Sequence, residues 1–173
     1  GSIAGNQNTK NNSYGKGGGV CVESGAFDMH GGSITGNAVS GSYQSYGGGV
    51  FVDSGCRFTM DGGSITGNTA GDYGGGVYVE TGASFVLAGG TIYACGIQSG
   101  AQSAYGGGIY AEGGSVTIKG GAIRNCAVSA DYGASGGAIY AKGGSVTMSG
   151  GVIADCSASN GGGIAAGSGA VRI

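Results

Sequence analysis

The stretch Gly17-Gly18-Gly19-Val20-Cys21-Val22-Glu23, continued by Phe27-Asp28-Met29 and Gly31-Gly32-Ser33-Ile34-Thr35-Gly36-Asn37, contains the unit from which the chain is built. Apolar and polar residues alternate over three short runs, the period of two that marks a strand, and glycine bounds each run. The unit then returns along the chain. Its first-strand anchors are Val20, Val50, Val77, Ile109, Ile139 and Ile164, spaced 30, 27, 32, 30 and 25 residues apart. Three glycines precede each anchor, or at Gly136-Gly137-Ala138 a close variant. A repeat of this length signals a stacked architecture in which each unit buries its apolar face only against its neighbours.

Aligned by their anchors, the units form columns. The first strand supplies the six anchors and, two residues on, Val22, Val52, Val79, Ala111, Ala141 and Ala166. The second supplies Phe27, Phe58, Phe85, Val116, Val146 and Val171 beside Met29, Met60, Leu87, Ile118, Met148 and Ile173. The third supplies Ile3, Ile34, Ile65, Ile92, Ile123 and Ile153. Unbroken apolar columns suit coils stacked at roughly 4.8 Å, the spacing of paired strands. No segment carries a helical stripe, and the 46 glycines would each cost a helix interior roughly 1 kcal/mol. With no proline and no three-residue repeat, collagen is excluded. The expected fold is all-β: a single-stranded parallel β-helix of about six coils with three short strands per coil. The crossover rule makes it right-handed.

The whole chain, residues 1–173, reads as one domain. Most length variation falls between the third strand and the next first strand: ten, nine, five, ten, nine and four residues after Asn6, Asn37, Asn68, Cys95, Cys126 and Cys156. Insertions of this kind collect on one face, often the binding face. Net charge is −2 and the seven basic residues are scattered, which argues against nucleic acid as a partner. No apolar run is long enough to insert this segment in a membrane. Gly1-Ser2-Ile3-Ala4-Gly5-Asn6 repeats Gly32-Ser33-Ile34-Thr35-Gly36-Asn37, so the chain is expected to be an excerpt of a longer solenoid.

Two short motifs point to a family. Gly136-Gly137-Ala138-Ile139 is a Gly-Gly-Ala-aliphatic motif, and Gly17 to Val20 and Gly47 to Val50 are one substitution from it. Ile34-Thr35-Gly36-Asn37 and Ile65-Thr66-Gly67-Asn68 match a Phe-x-x-Asn motif with isoleucine for phenylalanine. In these features the chain resembles the extracellular β-helix repeats of bacterial and archaeal adhesin-like proteins. It is similar above all to the polymorphic outer-membrane, autotransporter-like passenger repeats. The resemblance covers the whole chain and implies a β-helix in an extracellular or cell-surface setting. From Cys95 onward the asparagine is replaced and the second motif lapses.

That replacement runs down one column, from Asn6, Asn37 and Asn68 to Cys95, Cys126 and Cys156. Stacked asparagines can pair their amides along the axis, whereas cysteine fills the position as a small apolar group. Adjacent coils bring Cα atoms within disulfide range, so free thiols and one disulfide both remain open. Neither paired Cys-x-x-Cys nor histidine ligands are present, so no metal and no cofactor is expected.

The candidate ligand-binding residues lie on the outer side of the first strand. The outward column there is Cys21, Phe51, Tyr78, Tyr110 and Tyr140, flanked by Glu23, Asp53, Glu80, Glu112 and Lys142. Tyr14, Tyr46, Tyr73, Tyr105 and Tyr132 precede the glycines. In pectate-lyase-like β-helices this strand and these loops form the sugar groove. Rings that stack on sugars beside carboxylates that accept hydroxyl bonds make Tyr46, Tyr73, Tyr105, Tyr132, Glu80 and Glu112 the expected glycan contacts. A purely structural ladder of stacked rings is the competing reading.

Catalysis needs acids in unequal environments, but here one equivalent acid recurs per coil, so no enzyme is expected. His30, the one histidine, has no serine–aspartate context. The expected function is a non-enzymatic cell-surface or secreted adhesin-like segment, a stalk or adhesive module. Its expected partners are a glycan or a host or neighbouring-cell surface. A filament subunit that associates end to end is the alternative. A polysaccharide-active β-helix fragment and an ice-binding protein stand further off, since the outward threonines are interrupted by Tyr93 and Arg124.

Overall fold

The computed structural model describes residues 1–10, 14–41, 44–97, 103–130 and 132–173. Three six-stranded sheets run along its length, and every pairing in them is parallel. The first sheet stacks Val20–Val22, Val50–Val52, Val77–Val79, Ile109–Ala111, Ile139–Ala141 and Ile164–Ala166. The second stacks Ala26–Met29, Arg57–Met60, Ser84–Leu87, Ser115–Ile118, Ser145–Met148 and Ala170–Arg172. The third stacks Ser2–Ala4, Ser33–Thr35, Ser64–Thr66, Thr91–Tyr93, Ala122–Arg124 and Val152–Ala154. The chain is therefore a parallel β-helix.

Its register is the one the columns imply. Phe58 pairs with Phe27 and Phe85, Ile65 with Ile34 and Ile92, and Val77 with Val50 and Ile109. Phe58 and Ile65 are fully buried. Within the core Phe27, Phe58 and Phe85 stack with centroids 4.9 and 4.8 Å apart, and the stack stops where Val116 takes the position. Val79 gives way to Ala111 at the same coil boundary. Each core side chain thus packs along the axis on a near-copy of itself.

Beyond three strands per coil, the connections themselves pair. Gln7–Lys10, Ala38–Gly41, Thr69–Ala70 and Gly96–Ile97 form a fourth parallel sheet. This sheet explains the middle glycine of each triplet. A Cβ on Gly48 would lie 2.3 Å from the Thr69 carbonyl oxygen and 2.4 Å from that of Gly75, so only hydrogen fits.

The asparagine column works as a buried ladder. The Asn37 backbone N–H and Nδ2 donate to Asn68 Oδ1 at 2.9 and 3.0 Å, and Asn68 Nδ2 donates to the Ile34 carbonyl at 2.8 Å. Cys95, Cys126 and Cys156 continue the column as free thiols, and hydrogen bonding with Cys156 and Cys95 together with burial pushes the Cys126 thiol up. Along with the switch, the left-handed corner before the column passes from Gly5, Gly36 and Gly67 to Ala94, Asn125 and Asp155.

Candidate functional site

The outward column of the first sheet starts at the exposed Cys21, but its next three side chains are buried. Phe51, Tyr78 and Tyr110 are 0 %, 3 % and 2 % accessible, because Tyr46, Tyr73 and Tyr105 from the connections fold over them. Together these rings form a second apolar cluster outside the coil. Its inner row stacks Phe51 on Tyr78, Tyr78 on Tyr110 and Tyr110 on Tyr140 at 5.1, 5.2 and 5.6 Å. Its outer row stacks Tyr46 on Tyr73 and Tyr73 on Tyr105 at 5.5 and 6.0 Å, and the two rows meet edge to face.

The outer row is narrower than the expected set. Tyr46, Tyr73 and Tyr105 bridge one another in parallel register, and the positions before and after them belong to Lys16 and Ser135. Tyr132 therefore does not join the ladder. It stands three residues ahead of Ser135 and is 85 % exposed. The spacing to the glycine triplet carries the distinction: Tyr46, Tyr73 and Tyr105 immediately precede their glycine, whereas Tyr132 lies four residues before Gly136.

Stacking changes what the rings can do. Tyr73 has a ring stacked on each face and offers no open platform for a sugar. Tyr46 and Tyr105 each stack on Tyr73 by one face and meet Tyr14 and Tyr140, respectively, at a tilt of 44°. Edges and hydroxyls are what reach solvent. Gln44 ties two of them: Tyr46 Oη donates to Gln44 Oε1 at 2.5 Å, and Gln44 Nε2 donates to Tyr73 Oη at 3.2 Å.

Beside the rings runs the charged column, held by backbone bonds that extend the first sheet. Lys16 meets Asp53 at 3.4 Å and sits 4.6 Å from the Phe51 ring centroid. Glu112 accepts from Tyr110 Oη at 2.7 Å and pairs with Lys142 at 2.6 Å. Burial first, then the nearby carboxylates, pushes the Tyr78 phenol up, and burial followed by the bond to Glu112 does the same for Tyr110. The bond to Glu112 also raises Lys142.

Tyr46, Tyr73, Glu80 and Glu112 come together in one cleft of about 240 Å³, whose walls also include Gln44, Tyr78, Tyr110 and Lys142. Tyr105 opens on an adjoining cleft of about 230 Å³ with Tyr140 and Lys142. Tyr78, Tyr110 and Lys142 belong to the outward columns read from the sequence but not to its expected contacts, and Gln44 is the lining residue that the sequence did not single out. His30 lies elsewhere, exposed and 2.8 Å from Asp61. Among the described residues no group of three or more histidines, cysteines and acids is placed to hold a metal ion. Comparison with protein-family models, curated proteins and solved structures returned no match.

Proposed function

We propose that this chain is a non-enzymatic, adhesin-like β-helix segment of a cell-surface or secreted protein, a stiff stalk whose tyrosine-walled flank is its contact surface. The observation that supports this most is the doubled stacking. One continuous core fills the coil and a second aromatic cluster braces it from outside between Phe51 and Tyr140, so bending a coil boundary there opens aliphatic contacts on one side of the first sheet and ring contacts on the other. Aromatic pairs contribute roughly 0.5–1.5 kcal/mol each beyond their buried area. A rigid rod that repeats one contact along its length suits a spacer that holds something away from a surface.

The cleft beside the rod suits recognition by hydrogen bonding rather than by ring stacking. It offers tyrosine hydroxyls, the Gln44 amide and two carboxylates, and the hydroxyls of Tyr46, Tyr73 and Tyr110 are held by Gln44 and Glu112. Glycans or the surface of a neighbouring cell are the matching partners.

Display is tested by antibody labelling of intact against permeabilised cells of the source organism. Labelling of intact cells, abolished by external protease, is the expected result. Label confined to permeabilised cells would overturn the proposal. Turnover of a polysaccharide by the purified chain would overturn the non-enzymatic part of it.

A further inference from the structure

The charged column is neutralised unevenly. Asp53 has Lys16 and Glu112 has Lys142, but Glu80, between them, meets no cation among the described residues. Its one bond is local, with Oε1 accepting from the Thr81 backbone N–H at 2.9 Å. Next to it Tyr78 is 3 % accessible and lines the cleft, and among the described residues its hydroxyl has no hydrogen-bond partner. The ring is what is buried: the hydroxyl is not sealed from solvent, lies on the cleft and is left with both lone pairs to offer a ligand.

We propose that this cleft binds a primary ammonium group, with Glu80 as its counter-ion and the Tyr78 and Tyr73 hydroxyls as further acceptors. The inference rests on the flank being a contact surface, and it adds the charge and chemical class of what is contacted. Glu80, Glu112 and Lys142 sum to −1 − 1 + 1 = −1, so the cleft favours a cation. An ammonium has three N–H donors and no acceptor, which matches one carboxylate and two hydroxyl oxygens. A quaternary ammonium would need open ring faces instead, and stacking has closed them. At about 240 Å³ the cleft lies below the roughly 300–1,000 Å³ of pockets that engulf a ligand, so it takes a head group with the rest outside. An amino sugar and a lysine or polyamine chain both present that group.

The test is an NMR titration of the chain with glucosamine, cadaverine, N-acetylglucosamine, tetramethylammonium and calcium chloride. Glucosamine and cadaverine are expected to shift the Tyr78 and Glu80 amide resonances, and the other three to leave them in place. Stronger glucosamine binding assigns the group to an amino sugar, and stronger cadaverine binding to an aliphatic amine. Glu80→Gln, which keeps the shape and loses the charge, should weaken binding roughly tenfold or more, and Tyr78→Phe, which keeps the stack, should weaken it several-fold. N-acetylglucosamine acting at the same residues as well as glucosamine would overturn the ammonium assignment and leave the contact surface standing. Calcium in place of the amines, or unchanged affinity in Glu80→Gln, would overturn the assignment. Silence from every probe would overturn the site, while cell labelling still decides display.

Discussion

Gly67 has φ 61° with nothing within 4 Å of where its Cβ would be, and one coil on Ala94 holds the same corner at φ 51°. The left-handed region costs an L-residue roughly 1–2 kcal/mol, partly offset by the freedom glycine retains when unfolded. Ala94→Gly should therefore stabilise the chain by roughly 0.5–1 kcal/mol, and Gly67→Ala should destabilise it by about as much, both read from denaturant midpoints. Gly48 is different, since added atoms would meet two backbone carbonyls, and Gly48→Ala should cost several times more. Asn68 carries a separate burden. Its amide answers the Asn37 N–H, the Asn37 side chain and the Ile34 carbonyl, so Asn68→Ala strands three buried groups. A loss of roughly 2–4 kcal/mol is expected, at about 1–3 kcal/mol for each group left unpaired and some relaxation. A loss under about 1 kcal/mol in the same unfolding measurement would mean that the ladder is ornamental.

At the scale of elements, the first sheet is a wall shared by two apolar clusters. Tyr110 shows it best: its backbone pairs with Tyr78 and Tyr140, its ring lies between theirs, and Tyr73 covers it. Tyr110→Ala should open a cavity and destabilise by roughly 3–5 kcal/mol, the range for truncating a buried aromatic. Tyr110→Phe keeps the stack and removes only the bond to Glu112, so thermal unfolding should show a loss of about 1 kcal/mol. Similar losses for both variants would mean that the ring is held by its hydroxyl and not by stacking. The Lys142–Glu112 pair is more exposed and should be worth little by itself.

For the whole molecule, the inward columns were legible because alternation and glycine spacing reveal a side chain's direction at every coil. The fate of the outward column was not. Whether Phe51, Tyr78 and Tyr110 are exposed depends on residues outside the sheet, and these come from connections of changing length. Counting back from the glycine triplet separates Tyr105, inside the ladder, from Tyr132, outside it, but alignment by residue type groups them together. The fourth sheet was hidden for a related reason: Thr69–Ala70 and Gly96–Ile97 are too short to show a period. Along the axis, loss of ring volume at Val116 and of aliphatic volume at Ala111 should make the later coils less stable. Hydrogen exchange should then be slowest through Val50–Val52 and Val77–Val79 and faster through Ile139–Ala141. Uniform rates would contradict this.

The second aromatic row is what distinguishes this rod from a bare coil, and an alkaline titration reads it directly. Burial is the first cause that raises the phenols of Tyr46, Tyr73, Tyr78, Tyr110 and Tyr140 above the ordinary value of 10.0. Folded phenols that hold their protons above that value release them on unfolding. The stability they contribute is complete below about pH 10 and is lost as pH rises beyond it. Tyrosinate absorbance and β-sheet circular dichroism should be followed together as pH is raised. The signal of Tyr46, Tyr78 and Tyr110, three of the ten tyrosines, should appear well above pH 10 and only as the sheet signal collapses, with Tyr73 and Tyr140 also displaced upward. Full ionisation near pH 10 with the sheet signal intact would show the rings to be a surface ladder open to solvent.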